Sequence, residues 1–359
     1  MRCKYFLMVL LIAISTVGYA QNIIMKFNDP HIRYTGRVVM HDEASELSWP
    51  STSIKINFKG TSARITLQDE HGDNYYNVIV DDKLVQVLHP DSVKKEYLLA
   101  GGLTDDNHTV ELFKRTEWMK GKTLFYQFAL NREARVLPGP AAKKRKIEFF
   151  GNSITCGVAI EDSSGKDRAD SKYANSYLSY AALTARHYDA ELYNTSQGGT
   201  GLMVSTFIAI MPEMYNRLDP TDAESVWDFK KFTPDVVVIN LFQNDSWLIK
   251  SPDHPQFKYR FGIKPPTDDQ IIKAYRIFVK TIRNTYPKAQ IICALGNMDA
   301  VKPGSPWPGY IEKAVAQIGD KMIFTHFFAY KNTPGHPNIK EQQAMADDLI
   351  AFIDQNVKW

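Results

Sequence analysis

Two hydrophobic patterns divide the chain. From residue 22 to 138, short runs alternate apolar and polar positions: SIKINFKG, SARITLQD, YYNVIVDD, HTVELFKR and TLFYQFAL. Strict alternation is typical of strands with one buried face, and several such strands at this spacing indicate an antiparallel sandwich or barrel. We therefore predict an all-β domain over residues 22–138, with strand breaks at Lys59-Gly60 and at Asp81-Asp82.

The pattern changes after a Pro-, Gly- and Lys-rich stretch at 139–146, which we predict to be a linker. From 147 to 359, Val- and Ile-rich runs alternate with helical patterns, including a predicted helix at 173–188. Strands are predicted at 147–150, 190–196, 235–241 and 289–296. This alternation predicts a three-layer α/β domain with a parallel sheet, whose ligand site lies beyond the carboxyl ends of the strands.

The first twenty residues predict export. Arg2 and Lys4 precede an apolar run that ends in Gly18-Tyr19-Ala20. The run is too short to cross a bilayer, and its small residues suit cleavage before Gln21. We expect residues 1–20 to be a signal peptide and the mature protein to be periplasmic or extracellular. No lipid anchor is expected, because Cys3 precedes the apolar run.

The charge of the chain indicates which partners to expect, and its cysteines indicate whether a disulfide can form. The formal net charge is +3, and losing the two basic residues of the signal leaves about +1. A short basic run at 143–146 falls in the linker, so nucleic acid is not a predicted partner. The histidines are scattered, so neither a metal nor another cofactor is predicted. Pairing of Cys156 with Cys293 is left open, with two buried free thiols as the simpler interpretation.

Four turns carry candidate chemistry, each at a strand end or before the last helix. Ser153 lies between glycines after the first strand, where a hydroxyl can face a cleft, although a turn or cap serine looks the same. Gly199 and Asn244 follow later strands and could donate hydrogen bonds to an oxyanion. His336, in a loop bounded by Pro and Gly, suits a general base.

Together these blocks resemble the SGNH hydrolase superfamily in order and spacing. The resemblance implies that Ser153 is the nucleophile, that Gly199 and Asn244 join Ser153 in the oxyanion hole, and that His336 is the base. The chain departs from the superfamily pattern at three positions. Asn152 stands where the superfamily has an aspartate, and Thr333 stands where it has the aspartate of the triad. Phe242 stands where it often has glycine, which implies a bulkier pocket wall.

Further motifs, at 34–37, 74–81 and 108–117, make the chain resemble carbohydrate esterase family 2. This resemblance implies an acetylesterase of plant polysaccharides such as xylan or glucomannan, with a preference for 6-O-acetyl groups, and a jelly-roll domain before the catalytic one. Some members use a Ser-His dyad in which a backbone carbonyl orients the imidazole. We therefore expect a carbonyl of residues 333–335 to orient His336, and Asp245 to be structural.

The sequence also leaves alternatives open. Trp247 and Trp307 are candidates for stacking on a sugar, since exposed indoles near clefts serve this purpose, although tryptophans are more often partly buried packing residues. A different SGNH activity, such as a lipase or an arylesterase, is one alternative. An inactive carbohydrate-binding protein is the other, and the intact serine, glycine, asparagine and histidine argue against it.

Overall fold

The computed structural model describes residues 22–359, so the predicted signal segment lies outside the described residues. Antiparallel strands form the first sheet, and parallel strands with flanking helices form the second. The predicted fold class, an all-β domain followed by an α/β domain, is therefore confirmed. None of the helices in the described part of the chain is long and apolar enough to cross a membrane.

The first sheet surrounds an apolar core that includes Ile56, Phe58, Leu112 and Phe128. Its strands are β1 (Ile23–Lys26), β2 (Arg33–Thr35), β3 (Val38–Met40), β4 (Ser45–Leu47), β5 (Ser53–Asp69), β6 (Tyr76–Val80), β7 (Lys83–Leu88), β8 (Lys95–Lys114), β9 (Thr123–Leu130) and β10 (Arg135–Val136). Alternate residues of β5 face this core, as its sequence pattern predicts.

The predicted strand break at Lys59-Gly60 is wrong, because β5 runs straight through it. Gly60 has a φ of +153°, and a Cβ there would come within 2.6 Å of Asn131 Oδ1. The glycine therefore permits a close approach within one long strand, accompanied by a register shift against β8.

The second sheet has the order β12-β11-β13-β14-β15, all parallel. Its strands are β11 (Arg145–Gly151), β12 (Ala190–Ser196), β13 (Val236–Asn240), β14 (Gln290–Leu295) and β15 (Ile323–Phe327). The helices are α1 (Ser153–Cys156), α2 (Tyr180–His187), α3 (Met211–Met214), α4 (Gln243–Leu248), α5 (Pro255–Phe261), α6 (Asp268–Thr285), α7 (Trp307–Ile318) and α8 (Ile339–Asn356).

The helix predicted at 173–188 is shorter in the structure. Short 3-10 turns occupy Ser171–Tyr173 and Ser176–Leu178, and α2 begins only after Ser179. The side chains of Asn175 and Ser179 each accept a hydrogen bond from a backbone N–H two or three residues later. These two side chains interrupt the predicted helix, because they compete with backbone carbonyls for the N–H donors.

A buried arginine joins the two domains. Arg37 of the β domain is 2% exposed, and its guanidinium donates to the carbonyls of Tyr215 and Arg217 at 2.7 Å and to Glu148 Oε1 at 2.9 Å. Glu148 lies in β11, the strand that leads to the nucleophile turn, and also accepts from Tyr286 at 2.5 Å. The first domain is thus fixed against β11, the second strand in the order of the parallel sheet.

Candidate active site

Ser153 occupies a sharp turn at the carboxyl end of β11. Asn152 caps α1, because its side chain accepts a hydrogen bond from the Ile154 N–H at 3.0 Å. It therefore stabilises the turn as an aspartate at this position would. A Cβ at Gly151 would lie 2.1 Å from Thr155 Oγ1, so only glycine fits there. Ser153 is 5% exposed. The chain therefore positions this serine at the expected edge of the sheet.

Gly199 lies in the loop after β12, with a φ of +79°. A Cβ here would lie 2.0 Å from Thr206 Oγ1, and the Thr206 N–H donates to the Gly199 carbonyl at 2.9 Å. The same loop is tied to the nucleophile strand, because the Gln197 N–H donates to the Gly151 carbonyl at 3.4 Å. Both left-handed geometry and close packing require glycine at this position.

Asn244 lies in the first turn of α4 and contacts the loop that carries Gly199. Its Nδ2 donates one hydrogen bond to the Thr200 carbonyl at 2.8 Å. An amide carries two N–H donors, so the second is left for another acceptor. The residue before the helix, Phe242, has a φ of +82° and its ring packs against Tyr275 in the core. It adopts the backbone conformation that glycine favours, and the bulkier pocket wall expected from its size is wrong because the ring is buried.

Asp245 holds this loop, as the sequence predicts. Its carboxylate accepts hydrogen bonds from the N–H groups of Leu202 at 2.9 Å, Met203 at 2.7 Å and Val204 at 3.1 Å. Complete burial raises the pKa of this carboxyl to about 6, against the opposing effect of the three donors. The Asp245 carboxylate binds the backbone of this loop and is not directed at His336.

His336 is oriented by a carboxylate that the sequence analysis missed. Its Nδ1 lies 2.8 Å from Asp167 Oδ1 and 3.0 Å from Oδ2, and its backbone N–H donates to Oδ1 at 2.9 Å. The hydrogen bond from His336 is the main cause that holds the pKa of Asp167 below its usual value. Asp167 therefore stays ionised wherever an imidazole can act as a base.

The expectation that a carbonyl of residues 333–335 orients His336 is wrong. The Lys331 ammonium donates to the carbonyls of Thr333 at 2.8 Å and Pro334 at 3.1 Å, so both already have a partner. Gly335, with a φ of +71°, lets Asp167 approach, because a Cβ there would lie 2.8 Å from the Asp167 side chain. No spacing rule points to Asp167, since it comes from a loop 169 residues earlier.

One buried side chain links the histidine segment to the nucleophile turn. Gln342, in the first turns of α8, donates to the Ile154 carbonyl at 2.9 Å and accepts from the Tyr180 N–H at 2.8 Å. Within residues 22–359, however, Ser153 makes no hydrogen bond to His336. Catalytic hydrogen bonds are often long in unliganded enzymes and tighten when substrate binds.

The two tryptophans differ. Trp247 is 43% exposed, and its ring is perpendicular to the ring of His254, with centroids 6.1 Å apart. Trp307 is 3% exposed and packs between Phe242 and Tyr310 at the start of α7. The prediction of sugar stacking by Trp307 is therefore wrong, because its side chain is almost completely buried.

The two cysteines of the described chain, Cys156 and Cys293, are both buried and free, which confirms the simpler interpretation. Burial raises the pKa of each thiol. Both therefore remain protonated packing groups at neutral pH.

Two family models match the chain, one in each domain. The family model described as "Carbohydrate esterase 2 N-terminal" matches residues 34–140, and that of the "GDSL-like Lipase/Acylhydrolase family" matches residues 149–339. The chain is 31% identical to Cellulase/esterase CelE of Acetivibrio thermocellus over 92% of its own length and 40% of that protein. It thus spans well under half of that relative.

Two further relatives match along nearly their whole length. An acetylxylan esterase / glucomannan deacetylase of Cellvibrio japonicus is 27% identical, over 92% of this chain and 90% of the relative. A family two carbohydrate esterase from Clostridium thermocellum, solved with cellohexaose, has a TM-score of 0.80 and 30% identity, over 90% of this chain and 98% of that one. The chain belongs to carbohydrate esterase family 2, and its α/β domain is an SGNH-type ester hydrolase.

Proposed function

We propose that this protein is an exported serine esterase that removes O-acetyl groups from plant-type polysaccharides such as xylan and glucomannan. The contact between His336 and Asp167 carries the proposal, because it fixes a general base on the loop where the superfamily places one. The relatives named as acetylxylan esterase and glucomannan deacetylase support the substrate class.

The proposed first step is acylation of Ser153. His336 Nε2 takes the hydroxyl proton while Asp167 holds Nδ1–H, and the serine oxygen attacks the acetyl carbonyl. The resulting oxyanion accepts hydrogen bonds from the Ser153 and Gly199 amides and from the free N–H of Asn244. The imidazolium then returns the proton to the departing sugar oxygen, which leaves as a free hydroxyl.

Deacylation reverses these roles. His336 takes a proton from water, the water oxygen attacks the acetyl-serine carbonyl, and the same donors bind the second oxyanion. Collapse releases acetate, and the proton returns to Ser153. Besides the substrate and water, each step uses only side chains and amides of this chain.

A glucan or xylan chain would lie across the cleft edge. The relative solved with cellohexaose supports a β-linked glycan as the bound polymer. In this chain, Trp247 offers an exposed indole beside the Asn244 turn, so we propose that it stacks on a sugar ring of the substrate. We also propose that the enzyme prefers acetyl groups on the 6-hydroxyl of the sugar.

Acetate release from acetylated xylan and glucomannan tests the proposal. The mature protein should release acetate, and Ser153→Ala of equal thermal stability should not. A panel of aryl esters with acetyl to octanoyl chains should show fastest turnover on acetyl. Preference for long acyl chains would favour the lipase alternative, and absence of release from any ester would favour the binding protein.

Export is tested separately. Expressed with its native leader in a Gram-negative host, the protein should leave the cytoplasm, and its N-terminus should be Gln21. Retention of residues 1–20 on an active protein in the cytoplasm would contradict this part of the proposal.

A further inference from the structure

The segment that follows β8 crosses from the β domain to the loop that carries Gly199. Glu117 is buried, and its Oε2 accepts the Gly198 N–H at 2.6 Å. Two residues on, the Met119 N–H donates to Gln197 Oε1 at 3.3 Å. Two successive residues of the catalytic loop are therefore bound by the neighbouring domain.

These contacts surround one particular peptide group. The Gly198 carbonyl accepts from Gln197 Nε2 at 3.2 Å, and Gln197 is itself held by Met119. The Gly198 carbonyl and the Gly199 N–H belong to the same peptide plane, so holding the carbonyl orients the N–H. In the proposed function this N–H is an oxyanion donor.

Two consecutive glycines need such support. Glycine has the widest backbone freedom, so a Gly-Gly peptide can rotate and turn its N–H away from the cleft. A Cβ at Gly198 would lie 2.6 Å from Glu117 Oε2, so the carboxylate occupies the space that a side chain would take. Gly198 therefore has two effects. It gives the loop its backbone freedom, and its lack of a side chain lets the Glu117 carboxylate bind and hold the loop.

Glu117 also touches the nucleophile turn. The Cys156 thiol lies 3.4 Å from Glu117 Oε2, and Cys156 is the last residue of the one-turn helix that begins at Ser153. One carboxylate oxygen therefore contacts both the helix that carries the nucleophile and the loop that carries the oxyanion glycine.

The backbone on either side of Glu117 is held by a buried lysine. Lys114 at the end of β8 is fully buried, and its ammonium donates to the Thr116 carbonyl at 3.0 Å and to Asn74 Oδ1 at 2.6 Å. It also lies 3.4 Å from the Glu117 carbonyl. This network fixes the backbone of the segment from which Glu117 reaches the other domain.

We infer that Glu117 is a positioning residue of the reaction, through which the β domain aligns the Gly198-Gly199 peptide with the nucleophile turn. The inference rests on the proposed function, since the peptide matters only if it binds an oxyanion. The β domain then contributes to turnover through this contact, in addition to any contribution to polysaccharide binding.

The test compares Glu117→Ala and Glu117→Gln in the full two-domain chain on a small aryl acetate. Loss of an oxyanion donor typically lowers kcat by about 10²- to 10³-fold, and a donor that is only misaligned loses less. We expect Glu117→Ala to lower kcat about tenfold with KM within about twofold. Glutamine keeps an acceptor oxygen for the Gly198 N–H, so it should restore kcat to within about threefold of wild type.

Glu46→Ala is the matched control, because Glu46 is also a buried carboxylate of the β domain and binds Ser48 at 2.9 Å within its own domain. It should leave kcat unchanged. If Glu117→Ala does not fold, Gln197→Ala removes the other arm of the contact and should produce the same selective loss in kcat.

Three results would overturn the inference while wild type remains active and Ser153→Ala inactive. They are an unchanged kcat in folded Glu117→Ala, equal loss in the alanine and glutamine variants, and a change confined to KM. Failure of wild type to hydrolyse any ester would instead refute the proposed function itself.

Discussion

Removing the Asp167 carboxylate should slow turnover about tenfold without unfolding the protein. In Asp167→Ala the imidazole loses two contacts with carboxylate oxygens, at 2.8 and 3.0 Å, and the loop loses one backbone hydrogen bond at 2.9 Å. Hydrogen bonds to charged groups contribute about 1.5–3 kcal/mol. Both side chains are partly exposed, which places the effect near the lower end, and about 1.4 kcal/mol corresponds to tenfold in rate.

The assay is steady-state hydrolysis of an aryl acetate at neutral pH, with thermal unfolding followed by circular dichroism. KM should change little, because the carboxylate contacts the base rather than the substrate. Asp170→Ala is the matched control, since Asp170 is an exposed aspartate of the same loop whose side chain makes no capping bond. It should behave as wild type.

A loss smaller than threefold in folded Asp167→Ala would refute this reasoning. It would mean that His336 keeps its orientation without Asp167, as in a Ser-His dyad. An equal loss in Asp170→Ala would show instead that the loop as a whole, rather than the Asp167 carboxylate, matters.

Four further substitutions test separate parts of the account. Asn244→Ala should lower kcat by about 10²- to 10³-fold in an aryl acetate assay, because one oxyanion donor is lost. Thr333→Ala should keep at least half of kcat in the same assay, because the backbone carbonyl that Lys331 binds is retained. Arg37→Ala should lower the free energy of unfolding by about 3–5 kcal/mol in urea titrations, since it leaves Glu148 buried without its charge partner. Trp247→Ala should raise KM for acetylated polysaccharide about three- to tenfold and leave aryl acetate kinetics unchanged, because an exposed stacking contact is removed.

Each of these expectations has a contradicting result. A loss below tenfold would remove Asn244 from the oxyanion hole, and inactivity of a folded Thr333→Ala would mean that its hydroxyl supports His336. Unchanged urea stability of Arg37→Ala would show that the domain contact is weak. An unchanged polymer KM would exclude Trp247 as a stacking residue.

The sequence locates most of the site because the parallel sheet orders it. Residues just after buried strands must meet at one edge, so Ser153, Gly199 and Asn244 can be chosen from strand ends and turn residues. The structure adds why Gly199 accepts no other residue, since a Cβ there would collide with the Thr206 side chain.

The orienting carboxylate escapes sequence reasoning because it is a purely tertiary partner. Asp167 lies in a polar loop with several other acidic residues, and nothing in their spacing distinguishes the one that meets His336. The burial of Trp307 and the continuation of β5 through Gly60 escape for a related reason. Each depends on what packs nearby, which a local pattern does not encode.

The most direct test of the account is to trap the nucleophile. A methylphosphonate ester with a good leaving group should phosphonylate one residue, and mass spectrometry of the digested protein should locate the label on the peptide that contains Ser153. Labelling should run in parallel with loss of acetate release and should slow sharply in His336→Ala. Full labelling of another residue, or continued acetate release from a protein labelled at Ser153, would contradict the account.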